Sequence, residues 1–212
     1  MTVKCRVKAM SRILILTVAI AIAAAPAASV LPAYQIAEEP MGGTLNAPIR
    51  LEVFSDFQCP SCKVFYMDTI RQVLRNYCAS DKVCVIYREF PLPMHPVARE
   101  AARLSTAARK LGHKQWLAVF EAIYAEQEVW SKNGMIQATV ARALSSDDFK
   151  KLLTLAQDPS VNQAIERDIA LGKKRQVDQT PTFFVSVLGR EQKIVGILPY
   201  TTLKDFIDKF VK

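Results

Sequence analysis

Apolar positions recur along this chain at two spacings, and the changes between them lay out its elements. From Ile49 to Phe57 the run carries Ile49, Leu51, Val53 and Phe54, the near-continuous apolar content of a central strand. Beyond Cys62, the residues Phe65, Ile70, Val73, Leu74 and Tyr77 recur with helical spacing and predict an amphipathic helix. Pro60 falls near its first position, where a missing amide costs nothing. Val83 to Phe90 returns to strand through Val83, Val85, Ile86, Tyr87 and Phe90, whose β-branched and aromatic side chains suit a pleated surface. The run Pro91-Leu92-Pro93-Met94-His95-Pro96 then forbids regular structure and marks a boundary.

Helical patterning follows for a long stretch. Val97, Ala101, Leu104, Ala108 and Leu111 mark one helix, closed by Gly112, and Trp116, Val119, Phe120 and Ile123 mark another. Weaker helices run through Ile136, Val140 and Leu144, then through Phe149, Leu152 and Leu153, with Ser146-Asp147-Asp148 as a cap. Pro159 opens the last of them, which turns Val161, Ile165 and Ile169 inward. It ends in Gly172-Lys173-Lys174-Arg175, cations at the negative end of the helix dipole and read as a solvated end. Strand character returns in Thr182 to Leu188 and, after the Gly189 turn, in Lys193 to Ile197. Leu203, Phe206, Ile207 and Phe210 make a terminal amphipathic helix.

The order is therefore β-α-β, a helical block, then β-β-α, without internal repeat. It predicts an α/β fold in which residues 48–92 and 177–212 form two parts of one small-sheet domain and 93–176 an inserted helical domain. Residues 29–47, with prolines and glycines and no periodic pattern, read as a mostly extended lead-in, too short to be a dimerisation domain.

Composition agrees: 212 residues, half of them apolar and 23% charged, suit a packed globule and argue against a disordered chain. The first 28 residues read as a cleaved signal peptide, with a basic start, an apolar stretch from Ile13 to Ala25 and an Ala25-Pro26-Ala27 cleavage pattern. Roughly a dozen apolar residues is short of the about 20 that span a bilayer. The formal net charge is +8, but Lys4, Arg6, Lys8 and Arg12 lie in that leader, and losing them leaves about +4. So mild an excess predicts no nucleic-acid partner. Cys5 also leaves with the leader. The remaining Cys59, Cys62, Cys78 and Cys84 form an even set in a disulfide-permitting compartment, expected as two local pairs.

The first pair carries the candidate chemistry. Cys59-Pro60-Ser61-Cys62 sits where a strand pattern ends and a helix pattern begins. A helix leaving at that point aims its unsatisfied amides and positive dipole end at the first sulfur, making it a better thiolate. Taken alone, the spacing also fits half of a zinc site, since Cys78 and Cys84 follow. Export and the apolar strand leading into Cys59 favour redox exchange over metal. For Cys78 and Cys84, which end the first helix and open the second strand, a structural disulfide is the plainer reading, with free thiols or a relay to the first pair as alternatives. His95 and His113 are the only histidines, which leaves little for a His-based metal centre or a Cys–His protease site. His95 among its prolines reads as a loop constraint, and Trp116, Phe120 and Tyr124 as core.

Three segments then point to a family. Glu52-Val53-Phe54-Ser55-Asp56-Phe57-Gln58-Cys59-Pro60-Ser61-Cys62, Arg88-Glu89-Phe90-Pro91-Leu92-Pro93-Met94-His95-Pro96 and Gln179-Thr180-Pro181-Thr182-Phe183-Phe184-Val185 resemble the DsbA-like thiol–disulfide oxidoreductases of the thioredoxin superfamily. The resemblance covers roughly Ala47 to Lys212. It implies a thioredoxin fold with a helical insert and a redox-active Cys59–Cys62 pair needing no cofactor beyond its own disulfide and no metal. It also implies a cis proline facing the pair, here Pro181 after Thr180. Ser61 stands where better-known oxidases carry histidine. Its hydroxyl offers a neutral hydrogen bond rather than an imidazolium charge, which implies a less oxidising pair. Glu52 and Asp56 are both candidates for the buried, proton-handling acid of the family.

The function expected from this is an exported, periplasmic or secreted, monomeric enzyme. It would form disulfides in exported proteins with free thiols and be reoxidised, by resemblance, by a membrane quinone-linked oxidase. The alternatives are a disulfide isomerase or reductase, or a thiol-dependent metal-handling or chaperone module.

Overall fold

The computed structural model describes residues 39–211. The expected signal peptide, 1–28, and the lead-in as far as residue 38 lie outside the described residues. Ile49–Ser55 forms β1, Val83–Glu89 β2, Thr182–Val187 β3 and Arg190–Val195 β4, in the sheet order β2-β1-β3-β4. β1 runs parallel to β2 and antiparallel to β3, and β3 pairs antiparallel with β4. A parallel pair needs a long crossover. It is a continuous helical stretch made of α1 (Pro60–Phe65), a π-helical turn (Tyr66–Ile70), α2 (Arg71–Val73) and a second π-helical turn (Leu74–Cys78).

Between β2 and β3 come α3 (Ala98–Arg109), α4 (His113–Ala125), α5 (Gln127–Asn133), α6 (Ile136–Ala143), α7 (Ser146–Leu155) and α8 (Pro159–Lys174). α9 (Tyr200–Asp208) closes the chain. This is the α/β thioredoxin arrangement with helices inserted between its halves. Among the described residues no helix is long and apolar enough to cross a membrane.

Strand alternation divides the sheet into two faces. Ile49, Leu51 and Val53 of β1 and Val83, Val85 and Tyr87 of β2 turn into the main core, where Trp116, Phe120 and Tyr124 of α4 join them with no exposed surface. The residues between point the other way. There Phe54 meets Phe90 and Phe184 edge to face, at centroid distances of 6.1 and 5.8 Å, with Val177 beside them.

Several local expectations change. Met41 is 1% exposed: its N–H donates to Val85 O at 2.7 Å, and Gly42 O accepts from Val85 N, so the end of the lead-in covers the free edge of β2. The cap of α7 is Ser145, extended in backbone, whose hydroxyl accepts from Asp148 N at 3.1 Å, rather than Ser146-Asp147-Asp148, which are already helical. α5 was not anticipated, because its buried Trp130 is a lone aromatic anchor in a polar heptapeptide; Gly134 ends it in left-handed conformation at φ 72°. Phe210, expected inward, lies past the end of α9 and is exposed, while Leu203 and Ile207 face the core. Arg175 is no solvated helix end: its guanidinium lies 3.4 Å over the Phe184 ring and pairs with Glu52 and Glu191.

α8 can approach the second cluster because residue 172 has no side chain. A Cβ there would stand 2.5 Å from Cε2 of Phe90 and 3.1 Å from Cδ1 of Phe54. Gly172→Ala should therefore lower stability by about 1–3 kcal/mol through overpacking. A shifted urea midpoint at unchanged m-value would report it, and an unchanged midpoint would show that the rings yield freely.

Candidate active site

β1 stops at Ser55 because Asp56 folds the chain over. The Asp56 carboxylate, 1% exposed as a residue, accepts from Gln58 N at 2.6 Å, Leu92 N at 2.7 Å and His95 Nδ1 at 2.8 Å. One buried side chain thus ties the β1–α1 loop to the proline-rich loop after β2. The insertion grips the same loop from the other side. Gln127 Nε2 donates to Phe57 O at 2.6 Å and Cys59 O at 2.9 Å, and Gln58 Oε1 accepts from Val97 N at 2.9 Å.

Cys59 occupies the N-cap of α1 in extended conformation, followed by Pro60 at the first turn. It is 8% exposed, and Cys62, one turn later, is 1% exposed. Pro60 and Ser61 between them face solvent. The Thr180–Pro181 peptide is cis. It brings Thr180 O to 3.4 Å from Cys59 Sγ across 121 residues of sequence.

The two sulfurs are held in opposite electrostatic states. A hydrogen bond from the Cys62 thiol, outweighing burial, together with the Thr180 hydroxyl and the backbone amides of Cys62 and Ser61, draws the Cys59 thiol down to about 6. Burial pushes Cys62 well up, and the neighbouring Cys59 adds to that push. The Thr180 hydroxyl has no partner while Cys59 is a thiol donating to Thr180 O, which leaves it available to a thiolate. Ser61 acts through its backbone amide; its hydroxyl is not among the groups acting on Cys59.

The candidate acids separate. Glu52 lies on the opposite sheet face from the main core, with Oε1 accepting from Arg88 Nε at 2.6 Å and Oε2 from Arg175 Nη1 at 2.5 Å. Burial would raise its carboxyl, but Arg88 first, then Arg50 and Arg175, hold it below the usual carboxylate range. Glu52 thus anchors guanidinium groups, and Asp56 anchors two backbone amides and the His95 ring. His95 is Asp56's partner and a brace of its own loop.

A third acid escaped the sequence reading. Glu89 is 1% exposed, and neither carboxyl oxygen has a hydrogen-bond partner. Burial pushes it up to about 8, with Arg109 and Ser105 pulling the other way. The signal for it was strand alternation: counting in twos from Val83 through Val85 and Tyr87 places Glu89 on the core face.

Cys78 and Cys84 are 5% and 0% exposed. Burial, with Cys84 beside it, pushes Cys78 up to about 12. Sixteen positions of continuous helix separate Cys62 from Cys78, on the order of 20 Å at helical rise. The two pairs are therefore separate and cannot share one ion.

The comparisons with known proteins fit this geometry. The profile of a family described as Thioredoxin matches residues 36–209. A Bacillus subtilis protein named disulfide bond formation protein D is 24% identical over 179 residues, 82% of this chain and 78% of that one. Among solved structures, Pseudomonas aeruginosa DsbA2 is 26% identical with a TM-score of 0.61, covering 79% of this chain and 91% of its own. Wolbachia pipientis alpha-DsbA1 is 21% identical with a TM-score of 0.67, covering 80% and 88%.

The depressed thiol sets a measurable expectation. In the reduced protein, iodoacetamide should label Cys59 with a rate that is half-maximal near pH about 6, while Cys62 stays unlabelled. By the same shift the reduced fold gains stability as pH rises between about 6 and the ordinary thiol value of 9.0, and loses it as pH falls through 6. A labelling midpoint at the ordinary thiol value would contradict the polarised pair.

Proposed function

This chain belongs to the thioredoxin family as a DsbA-like thiol–disulfide oxidoreductase, and from that premise we propose that it is an exported catalyst of disulfide formation acting through Cys59 and Cys62. The observation that carries this reading is the opposed state of the two sulfurs, one drawn toward thiolate at a helix N-terminus and one buried as a thiol.

That asymmetry gives direction to the exchange. A client thiolate attacks Sγ of oxidised Cys59, the Cys59–Cys62 bond breaks, and Cys62 departs with the electron pair and takes up a proton. A second client thiolate then attacks the client sulfur of the mixed disulfide and releases Cys59 as a thiolate. The client has lost two electrons and the pair has gained them. Because Cys59 is stabilised as a leaving thiolate, release of the oxidised client is the favoured way out. The Thr180–Pro181 corner lies over Cys59, where an extended client backbone would approach.

The leader-like residues 1–28 support export to the periplasm or outside the cell, and clients would be exported proteins with free thiols. A membrane quinone-linked oxidase would restore the disulfide, and the chain would work as a monomer without metal or cofactor. Cys78 and Cys84 would form a structural disulfide after export. The high Cys78 value makes them poor partners for exchange at neutral pH, which speaks against a relay.

Cys59→Ser should abolish turnover, and Cys62→Ser should accumulate mixed disulfides visible on non-reducing gels. Refolding assays give the direction: oxidation of a reduced test protein is expected, whereas activity confined to a scrambled one would mean isomerase, activity only in the reducing direction reductase, and activity on neither a binding module. Peptide mapping of exported material without reductant should find Cys78 joined to Cys84, a closed loop worth roughly 2–3 kcal/mol. Recovery of both as alkylatable thiols would refute that pairing.

A further inference from the structure

Ser61 offers Cys59 a backbone amide and no charge, so the groups that favour a thiolate there are the Cys62 thiol, the Thr180 hydroxyl and amides of the loop itself. Backbone groups help or hinder a charged sulfur according to what they present to it: an amide favours the charge and a carbonyl oxygen opposes it. Whatever holds the loop and answers its carbonyls therefore bears on the chemistry.

The holder is the insertion. Gln127, the first residue of α5, donates from Nε2 to Phe57 O at 2.6 Å and to Cys59 O at 2.9 Å. Cys59 O also accepts from Cys62 N at 3.1 Å and from Lys63 N at 3.3 Å. Three donors thus converge on the carbonyl of the reactive cysteine, and the insertion supplies one of them across 68 positions of sequence. Gln58, between the two gripped carbonyls, returns the hold: its Oε1 accepts from Val97 N at 2.9 Å, and its Nε2 lies 3.5 Å from Ser131 O of α5.

The mount of Gln127 is fixed independently of the loop. Its side chain belongs to a residue only 3% exposed. Glu126, just before it, accepts from Thr139 Oγ1 of α6 at 2.9 Å and pairs with Arg142. Trp130, three positions on, has no exposed surface and donates from Nε1 to Ile123 O of α4 at 2.6 Å. All of these ties lie within the insertion, so Gln127 takes its place from there and imposes it on the loop.

The two redox states feel this hold unequally. The Cys59 carbonyl is the negative group covalently nearest the sulfur, and the positive end of the Gln127 amide offsets it. Removing that amide leaves an uncompensated carbonyl beside a thiolate in the reduced protein, but beside a neutral sulfur in the disulfide. The reduced state loses more.

We propose that Gln127 is a positioning residue for the exchange: from the insertion it holds and offsets the Phe57 and Cys59 carbonyls, and so sets how readily the Cys59 sulfur leaves as a thiolate. This rests on the reading of Cys59 and Cys62 as the exchanging pair. Gln127 acts through the loop backbone, without a hydrogen bond to either sulfur. The inserted helices then tune the reaction from behind the loop, on the side away from the Thr180 carbonyl that meets the sulfur itself at 3.4 Å.

The test labels the reduced full chain with iodoacetamide across pH and equilibrates it with glutathione, for wild type, Gln127→Met and Gln127→Glu. Methionine keeps the length of the side chain and removes both donated bonds. In Gln127→Met the labelling midpoint of Cys59 should rise from about 6 by about one pH unit, and at about pH 8 the glutathione equilibrium should move about tenfold toward the oxidised pair. Urea unfolding of both redox forms separates this from a merely structural role. The reduced form should lose more stability than the oxidised one, whereas a structural clamp would weaken both alike and leave midpoint and equilibrium in place. Should Gln127→Met fail to fold, Gln127→Glu keeps the shape with at most one donor, and its midpoint should rise as well. Wild-type midpoint and equilibrium in whichever variant folds overturn the positioning role and leave the exchanging pair intact. Undiminished turnover by Cys59→Ser overturns the pair itself, a result read without any change at Gln127.

Discussion

The constraint on which this structure depends is the unequal treatment of two sulfurs one helical turn apart. Cys59 sits at the N-cap, 8% exposed, where backbone amides converge on it, and Cys62 sits one turn deeper, against the core. The same helix supplies donors to the first and removes water from the second. A disulfide between such partners is held together by nearly equal sulfurs but opens onto very unequal ones, and that inequality stores the driving force of exchange.

Holding the first sulfur in place takes more of the chain than the motif. A loop of four residues between β1 and α1 would be free to drift if only its ends were fixed. Asp56 ties it to the loop after β2, and Gln127 and Gln58 tie it to the insertion, so the helical block acts as the outer wall of the site as well as a cover for the sheet. α5, a short polar helix with one buried tryptophan, earns its place here by presenting Gln127 to two carbonyls of the cysteine loop.

The two faces of the sheet handle charge differently. On the α8 side Glu52, Arg88, Arg175 and Asp168 form a network in which each carboxylate meets a guanidinium, so the charges cancel and the arrangement is structural. On the core side burial opposes the charge of Glu89 and Arg109 and Ser105 favour it, and the hydroxyls of Ser55, Tyr124 and Tyr87 lie among aromatic rings. A core built for stability alone would fill those positions with phenylalanine and a small apolar residue.

How much of this was legible follows the range of the interactions. Strand and helix periodicity, Pro60 at a helix start, the proline run after β2 and the β-α-β … β-β-α order all depend on neighbours within a few residues, and the sequence alone placed them to within a few positions. It also isolated Cys59 and Cys62, since a helix N-terminus is a local feature. Resemblance, rather than periodicity, singled out Pro181. Only the tertiary structure decided that Thr180 O meets Cys59 across 121 residues, that Arg175 turns inward to Glu52, and that Ser61 contributes an amide rather than a hydroxyl. It alone distinguished Glu52, held below the usual carboxylate range by guanidinium groups, from Glu89, pushed up by burial. The reason is physical: whether a buried acid keeps its proton depends on which cations and donors other elements bring within a few ångströms. That distance is set by packing, and no spacing along the chain encodes it.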